Sequence, residues 1–180
     1  MKPPMIFITW LLLLNLFGCA SDPNTETEGW SADRLYSAAK DALQQEDYEN
    51  AIKYYESLEA HYPLEKFAEK GQLEAIYAYY KSDEPESALV AADRFIKLYP
   101  RHPHVDYAYY LKGLVNFESN QSALDRFLPL DRSQRDQSRI LKSFEDFAEL
   151  VKRFPHSKYA QDARQRMLYL RNMLAEYELN

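Results

Sequence analysis

One repeated helix ending constrains what this chain can fold into. Residues 47–63 read DYENAIKYYESLEAHYP, residues 84–100 read EPESALVAADRFIKLYP, and residues 137–155 read QSRILKSFEDFAELVKRFP. Each stretch closes on an aromatic residue followed by proline, which lacks the N–H that another helical turn requires. In the first stretch Ala51, Tyr55, Leu58 and Tyr62 fall at i, i+4, i+7 and i+11, which makes one apolar stripe. Asp47 stands where its carboxylate can accept from the free N–H groups of the first turn. Asp83 and Glu86 have the spacing of a D-x-x-E capping box. A helix-and-stop unit that recurs can bury its stripe only by stacking on its neighbours, so an all-α array of antiparallel helix pairs is predicted.

Composition agrees. Glycine occurs only four times in 180 residues, and no stretch alternates apolar and polar residues with β-branched enrichment, so no sheet is expected. A net charge of −6 and a pI near 5.3 argue against a nucleic-acid partner, which selects a basic face.

The predicted pairs are 31–45 with 48–62, 67–81 with 84–99, and 105–119 with 136–154. A last helix follows at 158–177, with Ser157 as its N-cap. These pairs resemble tetratricopeptide repeats, which place small residues at positions 8 and 20, where two helices cross closely, and proline at 32. With Pro63 at 32, Ala39 and Ala51 take the small positions. With Pro100 at 32, Ala88 takes position 20, but Ile76 stands at 8. The third repeat carries Gly113 and Ser143, ends at Pro155, and holds an insertion at 120–137 between its helices. The resemblance implies a tetratricopeptide-repeat-like right-handed solenoid over residues 30–180, with three repeats and one further helix.

In that frame positions 2, 5, 9 and 12 of each first helix face a concave groove. Here they are Asp33, Tyr36, Lys40 and Leu43, then Lys70, Leu73, Tyr77 and Tyr80, then Tyr107, Tyr110, Leu114 and Phe117, with Lys81 beside the second set. An aromatic and aliphatic groove with lysines toward one end suits an extended peptide held by aromatic anchors, with Lys40, Lys70 or Lys81 receiving a carboxylate. The same tyrosines also suit packing between neighbouring repeats, and both readings stand. The insertion, NQSALDRFLPLDRSQRDQ, carries Phe127, Leu128 and Leu130 as apolar anchors and Asp131, Arg132, Arg135 and Asp136 in mixed sign. It is expected to be an ordered, partner-contacting loop rather than a solvated charged turn.

Residues 1–18 read as a targeting segment. Lys2 supplies the positive start, and 5–17 is an apolar run too short to span a bilayer. Gly18 before Cys19 resembles the bacterial lipobox, so Cys19, the single cysteine, is the expected lipidation site. Ala20 after it implies sorting to the outer membrane, lipid-anchored and facing the periplasm. Residues 19–29 are polar and acidic, a flexible tether.

The lipobox, the tether, IYAYYK at 76–81, DRFIKLYPRHP at 93–103 and FLPLDRSQRD at 127–136 together resemble the YfiO/ComL family of outer-membrane lipoproteins. The likeness implies a non-enzymatic member of the β-barrel assembly (BAM) complex, a scaffold and receptor for unfolded outer-membrane proteins. Its implied partners are BamA and other BAM lipoproteins. Family members carry about five repeats, so the chain reads as truncated at its carboxy end. One alternative is another outer-membrane repeat lipoprotein, such as a pilotin for a secretin or pilus. A second, from a different class, is a periplasmic enzyme. No catalytic constellation, cofactor or metal site is expected. The glycines are isolated, and His61, His102, His104 and His156 read as solvated turn histidines.

Overall fold

The computed structural model describes residues 27–118 and 135–178. Over these residues the chain forms α1 (Ala32–Gln44), α2 (Tyr48–His61), α3 (Lys66–Lys81), α4 (Pro85–Leu98), α5 (Val105–Glu118), α6 (Arg135–Arg153) and α7 (Ala160–Glu178), with no strand among them. Each helix packs on the next, and the first helices also touch one another, α1 on α3 and α3 on α5. This is a helical-repeat solenoid, and its first helices form one continuous face.

The helix starts follow from local chemistry. Ser31 Oγ accepts from the Arg34 N–H at 3.3 Å and Asp47 from the Asn50 N–H at 3.3 Å, so both predicted caps form. Two others do not. The Asp83–Glu86 capping box is absent, because Asp83 sits in the left-handed region (φ +59°) and Glu84 takes the N-cap position, its carboxylate accepting from Ser87 Oγ at 3.1 Å and from no backbone N–H of the first turn. The turn out of α3, closed by Ser82 N–H on Ala78 O and Glu84 N–H on Tyr79 O, needs that left-handed residue. Pro85, with φ already set for a helix, starts α4 instead. Glu46 repeats the geometry between α1 and α2 (φ +59°), and it precedes Pro63 by as many residues as Asp83 precedes Pro100. Ser157 is likewise not the cap of α7. It lies in the preceding turn, where its Oγ accepts from the Tyr159 N–H at 3.2 Å and donates to Asp106 at 2.6 Å.

The small residues lie where helices cross. Ala39, Ala51 and Ala88 are fully buried. In the third repeat a Cβ on Gly113 would meet the Phe147 ring at 2.4 Å, and Ser143 Oγ donates to the Gly113 carbonyl at 3.0 Å. So Gly113 and Ser143 pair across the insertion as the repeat register requires. Each second helix contributes one large buried ring to the core: Tyr55 from α2, Phe95 from α4 and Phe147 from α6. Ile76, the departure at position 8, is fully buried among apolar neighbours.

A buried polar network ties α4, α5 and α6 together. Lys112 Nζ lies 2.6 Å from Asp93 and 3.6 Å from Asp146, and Asp146 accepts from Asn116 at 2.7 Å and pairs with Lys142 at 3.3 Å. Burial opposes the Lys112 charge, but Asp93 and Asp146 outweigh it and hold the ammonium above its usual range.

Candidate functional site

The face made by the first helices carries the predicted groove residues, and the structure sorts them. Tyr36, Tyr77, Tyr80, Tyr107, Tyr110 and Phe117 are half-buried: they pack between elements and still contribute surface. Leu73 and Leu114 are buried within the core and line no open surface. At those positions α3 and α5 turn toward the seam with their neighbouring helices.

At the α1 end Tyr36 stacks on Phe67 with ring centroids 4.9 Å apart. The Glu74 carboxylate accepts from Tyr36 Oη at 3.4 Å, Lys40 Nζ at 3.1 Å and Tyr55 Oη at 2.7 Å. Burial, reinforced by the Glu74 charge, pushes the Tyr36 hydroxyl up to about 12. Lys40 is therefore already ion-paired and is not a free cation for a carboxylate. Lys70 and Lys81 are exposed. Lys81 Nζ lies 6.0 Å from the Tyr48 ring, which meets Tyr77 edge-on at 6.4 Å, and Tyr77 in turn contacts Tyr80 at 6.2 Å. Burial raises the Tyr80 hydroxyl, helped by a hydrogen bond to Glu118.

At the α5 end Tyr107 and Tyr110 both stack on Tyr159, at 5.2 and 4.7 Å. Tyr110 Oη donates to Asp162 at 2.7 Å, and burial with this bond pushes its hydroxyl up to about 12. Phe117 meets Phe147 edge-on at 6.5 Å, with the Arg166 guanidinium 4.8 Å from its ring. Arg166 is held by Asp162 through Nε at 2.7 Å. The result is an aromatic row running from α1 to α7, with acidic side chains holding the hydroxyls of Tyr36, Tyr80 and Tyr110.

Sequence reasoning missed Tyr48, Glu74, Tyr159, Asp162 and Arg166. Tyr48 lies on a second helix, Glu74 stands at a position the frame does not turn to the groove, and the other three belong to the last helix and its entry turn, to which the predicted groove does not extend. Their partners lie up to 52 residues away. Of the expected loop contacts, Phe127, Asp131 and Arg132 lie outside the described residues, and the backbone of Arg135 and Asp136 forms the first turn of α6. Residues 1–18 and Cys19 also lie outside them. Among the described residues no group of three or more His, Cys, Asp or Glu stands close enough to hold a metal ion.

A family model described as an outer membrane lipoprotein, YfiO, matches residues 29–180. The outer membrane protein assembly factor BamD of Neisseria meningitidis serogroup B is 43% identical over 180 residues, covering 97% of this chain and 67% of its own length. BamD of Vibrio cholerae is 38% identical over 169 residues, covering 94% of this chain and 70% of its own length. BamD of Xylella fastidiosa is 34% identical over 177 residues, covering 98% and 60%.

Proposed function

This chain belongs to the YfiO family of outer membrane lipoproteins, and from that premise we propose that it is an assembly factor of the BAM complex. It acts there as a scaffold and as a receptor for unfolded outer-membrane proteins, without chemistry of its own. The observation that carries the reading is the aromatic row across the first helices, in a chain similar over nearly its whole length to proteins named for outer-membrane protein assembly.

The receptor surface is the groove of Tyr36, Tyr77, Tyr80, Lys81, Tyr107, Tyr110 and Phe117. Half-buried rings already held by ring contacts and, at Tyr36, Tyr80 and Tyr110, by acidic partners bind at low entropic cost, because few rotamers remain to be frozen. An extended segment with its own aromatic side chains suits such a row, and the exposed Lys81 beside Tyr48 is placed to receive a carboxylate. Cys19 carries the lipid, residues 19–29 tether the repeats, and Phe127, Asp131, Arg132, Arg135 and Asp136 contact a partner of the complex. BamA and the other BAM lipoproteins are the proposed partners.

The test is affinity purification of the membrane-anchored chain in mild detergent, with bound proteins identified. Recovery of BamA together with outer-membrane protein precursors is the expected result. Recovery of a secretin without BamA would replace this reading with the pilotin alternative.

A further inference from the structure

The turn between α4 and α5 holds a histidine whose surroundings serve no part of the proposed groove. Expected to be a solvated turn residue, His102 instead has a side chain only 11% exposed, set edge-on against Phe95 with centroids 5.2 Å apart. Its backbone closes the turn twice: the His102 N–H donates to Tyr99 O at 3.0 Å, and His102 O accepts from the Val105 N–H at 3.0 Å. The ring adds a third tie, because His102 Nδ1 accepts from the His104 N–H at 3.1 Å. An accepting Nδ1 carries no proton, so in this geometry the imidazole is neutral, with its proton on Nε2. Nε2 points toward Glu69 Oε1 on α3 at 3.7 Å, close enough for attraction and too long for a good hydrogen bond.

The geometry points to His102 as a pH-sensitive latch at the junction of the second and third repeats. Neutral, it holds the His104 N–H and closes the turn that launches α5. Protonated, Nδ1 becomes a donor that faces another donor, the turn bond is lost, and the charged ring is drawn to the Glu69 carboxylate instead. The two states exchange one ring tie within the turn for one ion pair across to α3, so the switch bears on how Tyr77 and Tyr80 sit relative to Tyr107 and Tyr110. Glu69 of α3 favours the proton, and the His104 ring, 5.7 Å away, opposes a second charge. Asp106 of α5, Arg153 of α6 and His156 line the adjacent cavity of about 280 Å³ with His102. Asp106 is held by Ser157, and Arg153 is paired with Glu149. Burial outweighs Glu69 and holds His102 below the usual histidine range. An unfolded chain therefore takes the proton more readily, and the latch's stabilisation, complete above about pH 6.5, fades as pH falls through the folded midpoint.

The experiment is a pH titration of the full chain by NMR, following the His102 ring carbons together with hydrogen exchange at the His104 amide. The expected midpoint lies below 6.5. The His104 amide, corrected for intrinsic rate, should exchange roughly tenfold faster for each unit that pH falls toward that midpoint from above and level off below it, since only the neutral ring holds it. His102→Asn keeps an acceptor near the Nδ1 position and cannot titrate, so its His104 amide should show no such dependence. Glu69→Gln should move the wild-type midpoint lower. A His102 midpoint at or above 6.5 with an unchanged His104 amide would overturn the proposal, as would the same pH response in His102→Asn. Should the Asn variant not fold, the wild-type titration and Glu69→Gln decide alone.

Discussion

Replacing Gly113 with alanine adds one methyl group where α5 crosses α6. In an exposed helix this change stabilises by about 1 kcal/mol, because glycine loses more backbone freedom on folding. Here the new Cβ would lie 2.4, 2.5 and 2.9 Å from Cε1, Cδ1 and Cζ of Phe147. Phe147 is fully buried and cannot swing out to solvent, so the helices must separate or the ring must leave its rotamer. Overpacking of this kind costs about 1–3 kcal/mol, and three ring atoms under 3 Å put this site at the upper end. Parting the helices would also stretch the Ser143 Oγ bond to the Gly113 carbonyl. The net expectation is a loss of about 2 kcal/mol, or a fall in Tm of roughly 4–8 °C for a domain of this size. Thermal unfolding followed by circular dichroism at 222 nm reads it directly. Adding Phe147→Leu to Gly113→Ala should recover part of the loss, giving a coupling energy of about 1 kcal/mol or more in a double-mutant cycle. A Gly113→Ala protein as stable as the parent, or more so, would refute the close crossing and with it the assigned repeat register.

Other perturbations separate groove from core. Tyr77→Ala with Tyr80→Ala should abolish binding of an aromatic-ended outer-membrane peptide, measured by fluorescence anisotropy, while helicity stays nearly unchanged; equal loss of both would mean the rings serve packing. Asp146→Ala leaves Lys112 buried with Asp93 alone and should cost about 3 kcal/mol in urea unfolding, with Asp146→Asn milder. Burial would raise the Asp162 carboxyl, but the bonds from Tyr110 and Arg166 outweigh it and hold the group below its usual range. Its contribution is therefore present above about pH 4 and lost as pH falls through the folded midpoint, so Asp162→Asn should flatten the acid limb of stability against pH.

Much of the architecture was legible in the residues, because its determinants are local or periodic. Prolines after Tyr62, Tyr99 and Phe154 stop helices wherever the chain goes, and Ser31 and Asp47 cap through bonds that span only three residues. The register that pairs Ala39 with Ala51 and Gly113 with Ser143 follows from spacing, since a close crossing admits only small side chains. The capping errors at Asp83 and Ser157 arose where turn geometry overrode a local motif. A left-handed residue displaced the cap in one turn, and Asp106, 51 residues distant, drew the hydroxyl in the other.

The site was less legible, because it depends on which side chains meet across the stack. Periodicity puts Lys40 on the first-helix face, but only the packing of α1 on α3 gives it Glu74 and removes it as a free cation. The same face that leaves Tyr77 half-buried buries Leu73, four residues earlier on α3, because the seam between helices cuts obliquely across a single helical face. Tyr159, Asp162 and Arg166 lie outside the predicted groove set and join the row only through the docking of α7. His102 reads from sequence as a solvated turn residue and becomes a part-buried acceptor set against Phe95 and Glu69. The sequence alone determined where helices start, stop and cross, since those depend on backbone chemistry within a few residues. The tertiary structure decided which charges are paired, which rings are open and which histidine can switch, since those depend on neighbours that sequence distance does not reveal.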